Sequence, residues 1–136
     1  MSAQMIFITL PVADLAKSKA FFAGLGFAFN PQYESDGGAC MVVSENILVM
    51  LATHEQFKRF SPLPIADATK VKEALFTITR ESRAAVDETV AQAVKAGATT
   101  FEEPEDHGFM YASSFIDLDG HGWNLIWLNP AGAPKT

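Results

Sequence analysis

Cysteine is nearly absent from the sequence: Cys40 is the single one among 136 residues. One thiol cannot form an intramolecular disulfide, so we expect a fold held by its hydrophobic core and a cytoplasmic, reducing environment. Basic residues are also few, since 10 Lys and Arg stand against 16 Asp and Glu, for a net charge of −6. This charge argues against a general nucleic-acid-binding domain, which would need a basic face, and disfavours an anionic membrane surface.

Long apolar runs are absent as well. No stretch approaches the ~20 apolar residues of a membrane-spanning helix, and residues 1–15 lack the basic and apolar segments of a signal peptide. Hydrophobic residues nevertheless make up 49% of the composition. A chain of this length buries about two-thirds of its unfolded surface, and we predict one domain over residues 1–136.

The pattern of residues 5–60 predicts the order strand, helix and three strands. The apolar run M-I-F-I-T-L-P predicts the first strand, and Asp14 is a suitable N-cap for the helix that follows. A helical turn is predicted over residues 54–60, at the end of this module. The other predicted strands are residues 27–34, 39–44 and 46–52.

Residues 72–129 repeat this order after a linker at about residues 61–71, where S-P-L-P interrupts regular structure. The most regular element is a helix over residues 82–97, with Ser82 as its cap and Gly97 as its end. The predicted strands of this module are residues 72–79, 98–104, 107–118 and 122–128. We therefore predict an α+β fold, in which two βαβββ modules form a cupped, barrel-like mixed sheet with a small-molecule site inside the cup.

Two motifs in the chain resemble those of the vicinal-oxygen-chelate superfamily. Residues 8–27, ITLPVADLAKSKAFFAGLGF, are similar to the family's first strand followed by D-L-x-x-S-x-x-F-Y-x-x-L-G-F, and residues 117–127, DLDGHGWNLIW, are similar to its closing D-P-D-G-x-x-W-E-L. The superfamily contains glyoxalases, extradiol dioxygenases, and the bleomycin-resistance and fosfomycin-resistance proteins. The resemblance implies the same fold, a small-molecule ligand and a homodimer.

The resemblance also implies where metal ligands would lie. Metal enzymes of the family use His, Gln or Glu from the first and last strands of each module, and the matching positions here are Phe7, Met50, Leu75 and Asn124. A catalytic divalent site needs about three protein ligands, whereas Phe7 and Leu75 have no donor atom and Met50 offers a soft thioether. We expect no divalent metal cofactor, and we predict that these four residues and Trp123 contact a ligand.

Several polar residues keep more than one interpretation. Asn124 is either a hydrogen-bonding anchor for a ligand or a strand amide that satisfies a neighbouring backbone group. His107 and Tyr111 are either an acid–base pair near the mouth of the cup or residues of an ordinary loop and strand. A metal set of His54, His107 and His121 remains an alternative, although no short ligand spacing supports it. His121 also fits a turn, and His54 fits the start of a helix.

Two functions follow from these patterns. The first is a metal-free small-molecule-binding protein of the glyoxalase/bleomycin-resistance type, with an apolar or cationic ligand. The alternative is a glyoxalase-like lyase or dioxygenase-like enzyme that uses a displaced divalent metal site or His107/Tyr111 acid–base chemistry. The sequence does not determine the ligand, whether catalysis occurs, or whether the cup forms within one chain or across a dimer.

Overall fold

The computed structural model describes residues 4–132. The chain divides into two compact units, with the boundary between Ala66 and Asp67, inside the segment predicted as a linker. Each unit contains a four-stranded mixed sheet and the helix that connects its first two strands. The α+β class and the repeated βαβββ order predicted from the sequence are confirmed.

The first unit contains a sheet with the strand order β1-β4-β3-β2. The edge strand β1 runs parallel to β4, whereas β3 is antiparallel to both of its neighbours. The elements are β1 (Ile6–Val12), α1 (Leu15–Gly24), β2 (Ala28–Phe29), β3 (Gly38–Ser44), β4 (Ile47–Thr53) and α2 (His54–Phe60).

Local sequence explains where α1 begins and ends. The Asp14 side chain accepts a hydrogen bond from the Lys17 backbone N–H at 3.0 Å, which satisfies one of the free donors at the start of the helix. Gly26 follows the helix with a φ of 100°, a conformation that glycine adopts without steric cost. Phe21 and Phe22 of α1 are buried in the core of this unit.

The second unit contains a sheet with the strand order β5-β8-β7-β6. The edge strand β5 runs parallel to β8, and β7 is antiparallel to both of its neighbours. Helix α3 packs on β7 and β8 and buries Val86, Thr89 and Ala93. The elements are β5 (Leu75–Thr79), α3 (Arg83–Lys95), β6 (Glu105–Asp106), β7 (Met110–Ile116) and β8 (Gly122–Leu128).

Two predicted strands differ from the observed ones. The strand predicted at residues 27–34 is shortened to β2, because Asn30 accepts a hydrogen bond from the Gln32 N–H and Pro31 begins a 3₁₀ turn. The strand predicted at residues 98–104 is wrong: only Thr99 forms a bridge, to Ile116, and Pro104 has no N–H to offer a sheet. No helix within residues 4–132 is long and apolar enough to cross a membrane.

Candidate functional site

A cavity of about 400 Å³ lies in the first unit. Alternation along β1 places Phe7 and Thr9 at this cavity, whereas Leu10 and Val12 are buried in the core. Met50 of β4 pairs in register with Thr9 and lines the cavity beside it. The remaining lining residues are Tyr33, Ser35, Gly38, Ala52, Gln56 and Phe60. We call this space the first-module cavity, and its volume is within the range of small-molecule sites.

The first-module cavity has aromatic walls and neutral polar groups. The rings of Phe7 and Tyr33 meet edge to face, with centroids 5.6 Å apart and planes at 84°. Phe60, the last residue of α2, is 73% exposed. Thr9, Ser35, Gln56 and the hydroxyl of Tyr33 are the neutral hydrogen-bonding groups of the lining side chains. A ligand of mainly apolar surface with few polar groups matches this lining.

The structure brings together Phe7 and Met50, two residues that the resemblance placed at ligand positions. Thr9 was missed, although it lies two residues after Phe7 and strand periodicity alone places it on the same face. Gln56 and Phe60 were also missed. They belong to α2, and no local pattern shows that this helix contacts both β1 and β4.

A row of three neutral polar side chains crosses the second sheet. Asn124 of β8 pairs in register with Thr77 of β5 on one side and with Ser114 of β7 on the other. We call these three residues the polar rung. The Asn124 Nδ2 donates a long hydrogen bond of 3.4 Å to Thr77 Oγ1. Ser114 is only 5% exposed, and within the described residues its Oγ has no hydrogen-bond partner.

The first residue of β5, Leu75, lies near the polar rung. It pairs in register with Gly122 and precedes Thr77 by two residues, so both side chains are on the same face of the sheet. Leu75 is 63% exposed. Its role as a ligand contact therefore remains a prediction for an accessible apolar side chain.

The ligand contact predicted for Trp123 stays a prediction, and the burial of this residue does not favour it. Its ring is 2% exposed and lies in the core of the second unit, where it packs against Phe76 and Phe115. The Nε1–H donates a 2.9 Å hydrogen bond to Asp117 Oδ2. Alternation along β8 points Trp123 away from the face that carries Asn124, so a ligand at Asn124 does not reach it.

Asp117 organises the turn before β8. Its Oδ1 accepts hydrogen bonds of 2.9 Å from the backbone N–H groups of Asp119 and His121, and its Oδ2 accepts the bond from Trp123. Burial raises the pKa of the Asp117 carboxyl, although His121 and the hydrogen bonds act in the opposite direction. His121 is itself buried, at 8% exposed, which places it in the structure of the turn as expected.

His107 and Tyr111, predicted as an acid–base pair, each hydrogen-bond to a different carboxylate. The Tyr111 hydroxyl donates a 2.6 Å hydrogen bond to Asp87 of α3, and this bond raises the pKa of Tyr111 to about 12. The His107 Nε2 lies 3.0 Å from Glu105 Oε2 at the exposed edge of the sheet. Each side chain thus has a carboxylate partner of its own, and Tyr111 is engaged with the helix-covered face.

The residues at the family's metal positions do not fit a divalent cation. Phe7 and Leu75 supply no donor atom, Met50 supplies a thioether, and Asn124 supplies one uncharged oxygen. Among residues 4–132, no three His, Cys, Asp or Glu side chains come together as a metal-binding group. The buried Cys40 thiol has a raised pKa, chiefly because of burial and also because of Glu34, which disfavours the thiolate that a metal would need.

Comparison with known proteins agrees with this architecture. Residues 4–44 match the family model described as bleomycin resistance protein-like N-terminal. A hypothetical protein from S. aureus superposes with a TM-score of 0.79 and 27% sequence identity, covering 93% of this chain and 95% of that chain. No curated protein matches the sequence.

Two further solved structures have the same fold at lower identity. A glyoxalase/bleomycin resistance protein/dioxygenase family enzyme from Burkholderia phytofirmans PsJN has a TM-score of 0.75 and 19% identity, with 93% of this chain and 99% of that chain covered. A fosfomycin resistance protein from Listeria monocytogenes has a TM-score of 0.65 and 18% identity, with coverages of 93% and 94%. The chain has the fold of the glyoxalase/bleomycin resistance/dioxygenase superfamily, and the resemblance predicted from its two motifs is confirmed.

Proposed function

We propose that this chain is a metal-free small-molecule-binding protein of the glyoxalase/bleomycin-resistance type, and that it holds an apolar organic ligand in the first-module cavity. The observation that carries the proposal is the cavity's size together with its uncharged, largely apolar lining. Such pockets bury most of a ligand's surface and use a few polar groups to orient it. Thr9, Ser35 and Gln56 are suited to that orienting role.

The proposal excludes a metal because of the chemistry of the available side chains. Divalent sites in proteins are built from imidazole, carboxylate or thiolate ligands. The matching positions in this chain offer a thioether and an amide instead. The names of two structural neighbours, which include bleomycin resistance and fosfomycin resistance, support small-molecule handling by this fold without requiring the same chemistry here.

The lining favours an apolar ligand over a cationic one. None of the cavity's lining residues carries a carboxylate, so a cation would depend on the ring faces of Phe7, Tyr33 and Phe60. The net charge of −6 raises the local concentration of cations around the whole molecule, but it supplies no specific partner in the cavity. An aromatic, hydrocarbon-like ligand needs neither a charged partner in the cavity nor electrostatic attraction to the molecule.

Indole, a neutral probe, tests this proposal against benzyltrimethylammonium, a cation of similar size. With the methionine methyl groups labelled with ¹³C, we expect indole to shift the Met50 signal at lower concentration than the cation does. Phe7→Ala removes one cavity wall and should weaken indole binding roughly tenfold. Ile6→Ala is the matched control, because Ile6 is a similarly exposed neighbour on the opposite face of β1.

The outcome that would contradict this proposal is an unchanged Met50 signal with indole, or equal binding by the Phe7→Ala and wild-type proteins. The metal-free part is tested separately by adding Ni²⁺, Zn²⁺, Mn²⁺ or Fe²⁺ to the purified protein. A ligand that binds only the folded state raises the melting temperature, so a saturable increase with a stoichiometric metal would overturn it.

An enzymatic function has less support from the described residues. The alternative of acid–base chemistry requires His107 and Tyr111 to act on one substrate, whereas each is paired with a different carboxylate. We also propose that the protein is cytoplasmic, because its one cysteine is a buried free thiol. A homodimer is proposed from the exposed apolar residues at the sheet edges, as discussed below.

A further inference from the structure

We propose that the polar rung, formed by Thr77, Asn124 and Ser114, is a hydrogen-bonding site for a neutral carboxamide-like group of an organic ligand. The site lies wholly within the second unit. Substitutions in the polar rung therefore leave every lining residue of the first-module cavity unchanged.

The geometry of the sheet aligns the three side chains. Paired residues in neighbouring strands place their side chains on the same face, and Asn124 is paired with both Thr77 and Ser114. Alternation puts this face opposite to the one that carries Trp123 and Leu125. The exposure of the three residues decreases across the rung, from the exposed Thr77 through the half-buried Asn124 to the buried Ser114.

The hydrogen-bonding capacity of the rung is largely unused. A buried hydroxyl without a partner destabilises a fold, and such groups are rare in native proteins. Within residues 4–132, the Ser114 Oγ is one of these groups, and the side chain of Asn124 makes one hydrogen bond, a long 3.4 Å contact to Thr77. Because the serine χ1 angle has three staggered positions, the Ser114 hydroxyl can turn toward a group bound at Asn124.

The residue types of the rung select the charge of the ligand group. Two hydroxyls and one amide supply both donors and acceptors but no charge. A carboxylate prefers a cationic partner and an ammonium prefers an anionic one, whereas a carboxamide offers one acceptor and two donors in one plane. A neutral amide is thus the group that matches the rung best.

Benzamide, benzoate and benzylammonium test this selection, because they share one ring and differ in charge. Two-dimensional ¹⁵N NMR follows the side-chain NH₂ signals of Asn124 and the backbone signals of Thr77 and Ser114. We expect benzamide to shift these signals in a saturable manner, and we expect at least a fivefold higher concentration of benzoate or benzylammonium to be needed.

Ser114→Ala separates a binding role from a structural role. Since the Ser114 hydroxyl has no partner, its removal should leave the melting temperature unchanged or raise it, while benzamide binding weakens about two- to tenfold. Ser113→Ala is the matched control, because Ser113 is the preceding residue and points to the opposite face of β7. It should leave benzamide binding at the wild-type level.

Three results would overturn the inference: equal binding of the three probes, a loss of stability in Ser114→Ala with unchanged benzamide binding, or benzamide shifts confined to Phe7, Tyr33 and Met50. The last result would still agree with the function proposed for the first-module cavity. Conversely, an unchanged Met50 signal with indole would contradict the function proposed for the first-module cavity and would not bear on the polar rung. The benzamide series alone decides the selectivity of the rung.

Discussion

Asp117 shows how one buried carboxylate can hold a turn and a core side chain together. Its two oxygens accept three hydrogen bonds, from the backbone N–H groups of Asp119 and His121 and from the indole of Trp123. Gly120 completes the turn with a φ of 89°. A Cβ at this position would also lie 2.9 Å from atoms of Thr69. The D-x-D-G-x-x-W pattern of this chain therefore has a structural explanation.

Asp117→Asn should destabilise the protein by about 1–3 kcal/mol, because an amide has one acceptor oxygen for donors that approach from two sides. Trp123→Phe, which removes the indole donor, should cost part of the same energy. We expect the double variant to lose less stability than the two single variants added together. Urea denaturation of the four proteins measures this coupling, and strict additivity would show that the Asp117–Trp123 bond carries no energy.

Tyr111 provides a pH-dependent test at the scale of one residue. Its hydrogen bond to Asp87 raises its pKa to about 12, and Asp87→Asn should bring the pKa down toward the ordinary value of 10. Ultraviolet absorbance of tyrosinate measures this change in a Tyr33→Phe background, where Tyr111 is the only tyrosine. Glu88→Gln removes the same charge from the adjacent position of α3 and should not lower the pKa as much.

The sign of the associated stability change follows from the raised pKa. Below pH 10 the phenol is protonated in the folded and unfolded states, and the Tyr111–Asp87 bond stabilises the fold in full. This contribution is lost as the pH rises from about 10 through about 12. The Asp87→Asn protein should lose less stability than the wild type over this interval, and an equal loss would contradict the assignment.

At the scale of elements, the helices are the best-determined parts of the chain. The Ser82 Oγ accepts a hydrogen bond of 3.0 Å from the Ala85 N–H at the start of α3, and Gly97 follows the helix with a φ of 114°. These caps, together with the helical spacing of Val86, Thr89 and Ala93, depend on residues close in sequence. This is why the limits of α3 agree closely with the prediction.

Ser82→Ala should cost about 1 kcal/mol of stability, since it removes the side-chain acceptor from the first turn of α3. Ser82→Gly should cost only a few tenths of a kcal/mol of stability, because glycine leaves the N-terminal backbone N–H groups of the helix open to water. Chemical denaturation of both variants checks the order. Equal losses in the two variants would indicate that packing around Ser82, and not its hydrogen bond, is responsible.

The short strands were less predictable than the helices. The residues of β2 and β6 show no strong alternation of apolar and polar side chains. These strands form because β2 pairs with β3 and β6 pairs with β7. Pairing of this kind depends on where the neighbouring strand lies, so sequence patterns at residues 27–34 and 98–104 indicated strands of the wrong length or position.

At the scale of the whole molecule, the proposed homodimer is argued from exposed apolar residues at the sheet edges. The edge strands β1 and β5 expose Ile6 at 52%, Phe7 at 44% and Leu75 at 63%. An exposed apolar edge favours pairing with another surface, and the resemblance implies a homodimer. We expect sedimentation velocity to show a dimer at micromolar concentration.

Ile6→Lys and Leu75→Lys should shift this equilibrium toward the monomer, because charged side chains at an edge oppose strand association. Val94→Lys is a suitable control, since Val94 is an exposed apolar residue of α3 and belongs to neither edge strand. A wild-type protein that sediments as a monomer at all concentrations would exclude this mode of association.

The sequence by itself determined the fold class and the repeated order of elements, because periodicity, caps and turn motifs act between residues close in the chain. Its two motifs also indicated the resemblance to the superfamily whose fold the chain has. The resemblance pointed to Phe7 and Met50, which line the first-module cavity, and their contact with a ligand stays a prediction. Only the tertiary structure decided that Trp123 is buried, that the Ser114 hydroxyl has no partner among the described residues, and that α2 completes the first-module cavity. These properties depend on packing between elements distant in sequence, and no local pattern encodes which face such an element will cover.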